Sequence, residues 1–168
     1  MGDETTLLPI PAPHFLKYLM LNAIMISHEQ EISNLIFHYN ELIDAGDLKG
    51  AAALFKNAQL KFPGTEGLKD HNYALDLFEK IIIVYPDGTP RTRHIVTNLI
   101  IEISEDNRHA QARSLYTVYQ ATEELPLQAV AIGHYIDRFS IINEKWHFTY
   151  RDYSYPQLSG NISKHLRF

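Results

Sequence analysis

His94 is the residue of this chain whose type and setting are best suited to proton chemistry. It lies in the run from Pro90 to Ile103, rich in β-branched residues and opened by the turn residues Gly88-Thr89-Pro90, which reads as one long strand. Thr97-Asn98 follows three residues later, a polar step where a plain core strand would be apolar. An unperturbed imidazole titrates at roughly 6.5 and can therefore take up a proton near neutral pH. A histidine placed this way predicts a pocket with one titrating group.

Hydrophobic periodicity supplies the elements that must position it. Ser27, with Gln30 three residues on, forms a capping box, and Ile32, Leu35, Ile36, Tyr39, Leu42 and Ile43 then recur at helical spacing until Gly46. Asp47 caps a shorter helix whose inner face holds Leu48, Ala51, Ala52, Leu54 and Phe55. Residues 58–62 read as a short strand stopped by Pro63-Gly64, and residues 68–84 return to helical period. Beyond Gly88 the pattern becomes four strands, at 91–104, 110–122, 127–142 and 145–155. Helices first and consecutive antiparallel strands after them define an α+β domain. Strands of this length twist and curl, so the expected architecture is N-terminal helices on a strongly curved antiparallel sheet, a cone-shaped half-barrel.

The 168 residues fit one domain, at 27–168, preceded by an arm at 1–26. Residues 15–26 are apolar, but Asp3 and Glu4 precede them, Lys17 interrupts them and no small-x-small site follows. The run is also shorter than the roughly 20 residues a bilayer requires, so no membrane partner is expected. A net charge of −5 argues against nucleic acid, which calls for a basic face. The chain has no cysteine, hence no disulfide framework or thiol chemistry, which fits a cytoplasmic location. Nine histidines are present, but none shows H-x-x-x-H or H-E-x-x-H spacing, and no metal is expected. Neither a Gly-rich phosphate loop nor a Ser nucleophile elbow occurs, and no cofactor is expected.

Four segments, in order, resemble a known pattern. Ile43-Asp44-Ala45-Gly46-Asp47 with Leu54-Phe55 and Ala58 is similar to the opening of SnoaL-like domains. These belong to the nuclear-transport-factor-2-like, or cystatin-like α+β barrel, superfamily. Arg93-His94-Ile95-Val96-Thr97-Asn98 resembles the "RH-x-x-TN" strand of the subgroup with hexachlorocyclohexane dehydrochlorinase and scytalone dehydratase relatives. Gly133-His134-Tyr135-Ile136-Asp137-Arg138-Phe139 and Trp146-His147-Phe148 with Arg151 resemble its closing strands. The resemblance implies an internal pocket closed by the helices, and an Asp–His dyad that falls on Asp44 and His94. A carboxylate on the second ring nitrogen fixes the tautomer and stabilises the imidazolium as it forms. Asp44 ends an amphipathic helix and can reach the strand on which that helix packs. A structural hydrogen bond joining helix to sheet is the alternative for the same pair.

The expected pocket wall is Tyr39, Leu60, Ser114, Tyr116, Tyr135 and Tyr153, each with simple core packing as its alternative. Asn98 orients the pocket or satisfies backbone groups at a sheet bend. Arg151 clamps an anion or carbonyl if it points inward, and otherwise makes a surface ion pair; Arg93 alternates to the outer face. The expected function is a cofactor-independent lyase or isomerase, dehydratase- or dehydrohalogenase-like, acting on a small hydrophobic molecule. The alternative is a non-catalytic ligand-binding or assembly module, such as a small subunit of a ring-hydroxylating dioxygenase. A curled sheet whose exposed face is rich in Ile, Val and Tyr also predicts self-association, a homodimer first and a trimer second.

Overall fold

Ser27 opens the first helix, its hydroxyl accepting from the Gln30 N–H at 3.2 Å. In this computed structural model, which describes residues 26–155 and 157–167, that helix is α1, His28–Asp44. The arm expected at 1–26 lies outside the described residues apart from Ile26. Ile32, Ile36, Tyr39, Ile43 and Asp44 make the buried stripe of α1, so the helical period alone carries Asp44 to the interior. Asp47 caps α2, Leu48–Ala53, whose small buried residues Ala51 and Ala52 let it approach closely. After β1, Gln59–Lys61, comes α3, His71–Ile81, capped by Asp70. It is shorter than the expected 68–84. Lys69 instead bridges to Leu60 at the sheet edge, and Ile82 turns extended to bridge Leu166.

The sheet contains β2, Thr92–Ile103; β3, His109–Gln120; β4, Gln128–Ile142; β5, Lys145–Asp152; and the two-residue β6, Leu158–Ser159. Its order is β1-β5-β4-β3-β2, with β6 on β4. The long strands pair antiparallel as their patterns require, while β1 runs parallel to β5 and makes the sheet mixed. The fifth strand stops at Asp152, short of Tyr155, because the Asp152 carboxylate accepts from both the N–H and the hydroxyl of Ser154 and turns the chain. Register shifts interrupt three of the strand pairs. The one in β2 falls between Thr97 and Ile100, with Asn98 at φ +51°. Before it Thr92, His94 and Val96 face inward; after it Leu99, Ile101 and Ile103 do. Such a bulge bends its strand and raises the local twist, which supplies the curvature. Among the described residues no helix is long and apolar enough to cross a membrane.

Gly46 seats α1 on the turn that feeds β2. Its φ is +78°, and a Cβ there would lie 2.0 Å from the Gly88 carbonyl oxygen. Gly46→Ala is expected to cost about 2–4 kcal/mol, strain and overpacking combined, measured by urea unfolding.

Candidate active site at the end of the first helix

Asp44 meets β2 at its first residues. One carboxylate oxygen accepts from the Thr92 hydroxyl at 2.7 Å and lies 2.7 Å from His94 Nδ1. The other accepts from the His94 backbone N–H, again at 2.7 Å. The side chains are 11% and 7% exposed, so the pair is shielded from competing water. Burial works to raise the Asp44 pKa, and the negative end of the helix dipole opposes a carboxylate there. The hydrogen bond and charge of His94, then Thr92 and the backbone N–H, outweigh burial and hold the carboxyl below its ordinary value. An ionised Asp44 places the ring proton on Nδ1 and leaves a lone pair on Nε2. That nitrogen is the one that can act as a base.

From His94 a line of rings runs into the cone. His94 and Tyr116 have centroids 6.4 Å apart, and Tyr116 stacks on Tyr135 at 4.3 Å. Gly133, the cross-strand partner of Tyr116, makes the stack possible, since a Cβ on it would lie 2.4 Å from the Tyr116 hydroxyl. Tyr135 then covers Arg151 at 4.0 Å, with Tyr39, Phe55, Phe148 and Tyr153 around the same guanidinium. Arg151 is fully buried and makes a bidentate pair with Asp137, at 2.7 and 2.8 Å. Burial disfavours both charges. It raises Asp137, while in Arg151 the Asp137 carboxylate more than offsets it and the guanidinium stays protonated.

Most of the expected wall residues therefore belong to a packed polar–aromatic core. Tyr39, Leu60 and Tyr135 are buried in it, and the Tyr153 hydroxyl donates to Tyr39 at 3.1 Å. Arg151 points inward, yet its charge is taken by Asp137, and only Nη1 lacks a partner among the described residues. Ser114 is buried, its hydroxyl likewise without a partner among the described residues. Tyr116 bridges this core and the dyad. Asn98 is turned out by the bulge and exposed, so it does not share the inward row of His94 and Val96; Arg93 is exposed as expected.

Sequence reasoning missed three residues. Thr92 and Asp137 carry their roles through strand register, which alternation alone left undecided. His165 had no signal at all. It lies on a C-terminal strap, residues 162–167, that hydrogen-bonds to α3 and to the end of β3. It sits edge-on to His94 with ring centroids 6.4 Å apart. Burial, then the neighbouring His94, push its imidazole down to about 4 against the pull of Asp44.

The sequence model of the SnoaL-like domain matches residues 25–152, and the chain belongs to that family. Its fold is that of the cystatin-like, nuclear-transport-factor-2-like proteins. One similar solved structure is a candidate scytalone dehydratase from Novosphingobium aromaticivorans, 17% identical over 88% of this chain and 92% of that one, with a TM-score of 0.58. Another, from the same organism, is the β subunit of a candidate aromatic-ring-hydroxylating dioxygenase, 15% identical over 82% and 95%, with a TM-score of 0.58. A Mycobacterium tuberculosis protein of unknown function is 20% identical over 91% and 80%, with a TM-score of 0.57. No curated protein matches the chain.

Asp137→Ala strands the Arg151 charge in the core and is expected to cost about 3–5 kcal/mol by urea unfolding. For Asp44 the folded pKa lies below the unfolded one, so its stabilisation is complete above the unfolded value, roughly 3.9, and is lost as pH falls through the folded value. Unfolding free energies measured across pH 6 to 2 should therefore fall less steeply for Asp44→Asn than for the unsubstituted protein.

Proposed function

We propose that this protein is a cofactor-independent lyase or isomerase that abstracts a proton from a small hydrophobic molecule, with His94 as base and Asp44 as its partner. The observation that carries the reading is the 2.7 Å contact between a buried carboxylate and Nδ1, which leaves Nε2 as the ring nitrogen that Asp44 does not engage. In the reaction the C–H bond breaks, its proton moves to Nε2, and its electron pair enters the adjoining bond. A leaving group then departs, or the proton returns at another carbon. Asp44 stabilises the imidazolium throughout. The Tyr116 ring beside the dyad supports an apolar substrate, as does the neutralisation of Arg151 by Asp137. The likeness to a candidate scytalone dehydratase supports the same class. The cysteine-free composition supports a cytoplasmic setting.

The outer face of the sheet supports a homodimer. Ile95, Thr117, Ile132 and Leu158 follow one another across four strands in register, and Ile95 and Ile132 are 48% and 38% exposed. A contiguous apolar row of this kind is a surface that a second copy can cover.

Proton abstraction is measured as deuterium uptake from D2O by a panel of uncharged ketones, and as alkene formation from alcohols and alkyl halides. His94→Gln and Asp44→Asn are expected to lower the rate about 10²–10⁴-fold with the circular dichroism spectrum unchanged; equal rates end this reading. Light scattering on an eluting size-exclusion peak should give a dimer mass at micromolar concentration. Ile132→Lys should shift that mass to the monomer.

A further inference from the structure

The His94 ring is enclosed from three sides. Asp44 reaches it from α1 at 2.7 Å, Tyr116 stands beside it on β3, and His165 of the C-terminal strap meets it edge-on, with ring centroids 6.4 Å apart. The His94 side chain is left 7% exposed. A molecule that reaches this imidazole needs one of the three elements to move. Parting α1 would bring Ile32, Ile36, Tyr39 and Ile43 into water, and parting β3 would break the ladders to both β2 and β4. The strap has far less to lose. Of residues 162–167 only His165 is buried, while Ile162 and Leu166 are half-buried.

The strap is also a unit of its own. The Ile162 carbonyl accepts from the N–H groups of His165 and Leu166, each at 2.9 Å, closing one turn. Gly160 N–H donates to the Val130 carbonyl at 2.8 Å and anchors the chain just ahead, which leaves the exposed Asn161 as the hinge. Its attachments are polar. The Lys164 carbonyl accepts from Gln120 Nε2 and from the Tyr85 hydroxyl, each at 2.8 Å. The His165 carbonyl accepts from the Ile83 N–H at 2.9 Å, and Arg167 N–H donates to the Ile81 carbonyl at 2.8 Å. Water can replace each of these bonds. Two further groups in the contact, His165 Nδ1 and Gln120 Oε1, are buried with no hydrogen-bond partner among the described residues. Opening returns both to water, which favours it. A turn with one buried side chain and stranded polar groups belongs to the low-stability end of a structure.

We propose that residues 162–167 are a lid over the Asp44–His94 pair, which lifts as one turn about Asn161 and is released when His165 takes up a proton. The value of uncovering the ring rests on the base role given to His94 above; the opening itself does not. Closed, the His165 imidazole is pushed down to about 4 by burial and then by His94, against the pull of Asp44. Lifted into water it returns to the ordinary histidine value, roughly 6.5. The lifted strap thus binds the proton more tightly, and its population grows as pH falls between those two values. From pH 7 to pH 5 the gain is about 20-fold.

The groups facing His165 are Asp44 from α1, His94 from β2 and Tyr116, beside His94, from β3. The segment after α3 presents backbone at Ile82 and Ile83, and its Tyr85 hydroxyl is bound to Lys164. On the strap Lys164 is paired with Glu124, and the Arg167 guanidinium donates to the Ile82 carbonyl. Asp44 and Glu124 are both held below their ordinary values, so neither carboxylate titrates between pH 7 and pH 5.

The test is amide exchange on the full chain, read by NMR and corrected for intrinsic rates. Protection of the Ile83 and Arg167 N–H groups should fall about 20-fold from pH 7 to pH 5, while the β4 amides keep theirs. His165→Phe and His165→Leu should each abolish that pH dependence. Ile82 and Leu166 face each other as a non-hydrogen-bonded antiparallel pair between the two backbone bonds of the strap, a spacing that a disulfide spans. In a chain without other cysteines, Ile82→Cys with Leu166→Cys therefore locks the lid. Oxidation of this variant should slow carbethoxylation of His94 by diethyl pyrocarbonate at pH 7 at least tenfold, located by mass spectrometry, and reduction should restore it. Protection that stays constant from pH 7 to pH 5, or that falls equally in the His165 variants, overturns release by His165. Equal modification of His94 in the oxidised and reduced forms overturns the lid. A lock that shields His94 in a protein without deuterium uptake overturns the base role and upholds the lid.

Discussion

A carboxylate buried at the C-terminal end of a helix is opposed twice, by the loss of water and by the negative end of the helix dipole. Asp44 is held there because three donors converge on it from the first residues of β2: the Thr92 hydroxyl, the His94 N–H and the His94 ring. The same bonds that satisfy the carboxylate dock α1 on the sheet. They also decide the tautomer of His94. Docking the helix on the strand and fixing the orientation of the His94 ring are thus the work of one set of contacts.

The rest of the interior divides into two parts with different physics. In one part, Arg151 and Asp137 neutralise one another beneath five aromatic rings. A buried pair of this kind specifies how its neighbours pack more than it adds stability. Among the described residues Arg151 carries the one buried guanidinium, and Asp137 holds it. At the dyad end the polar groups are the Asp44 carboxylate, the Thr92 hydroxyl, two imidazoles and a tyrosine. Tyr116 joins the two parts, and Gly133 across the sheet leaves it the room to do so.

Curvature is what makes the two ends distinct. The bulge at Asn98 reverses which residues of β2 face inward, so His94 and Ile101 both reach the interior although an uninterrupted alternation would put them on opposite faces. Behind it the outer face keeps its own apolar row from Ile95 to Leu158. The C-terminal strap then closes the dyad end, pinned by Gln120 and Tyr85.

Local pattern determined much of this protein. The caps at Ser27 and Asp47, the stripe of α1 and the four long strands follow from periodicity and turn chemistry, which act over a few residues. The candidate dyad was legible too, because Ile43-Asp44 and Arg93-His94 stand in a recognisable order. Tertiary structure decided the rest. Whether Arg151 faced a ligand or an acid depended on the β4–β5 register that sets Asp137 opposite it. Asn98 left the inward row because of a bulge that alternation does not announce. His165 reached His94 only through a strap folded back across 71 residues of chain (165 − 94), and contacts of that span leave no periodic trace in a sequence, since they are fixed by how the packed elements meet.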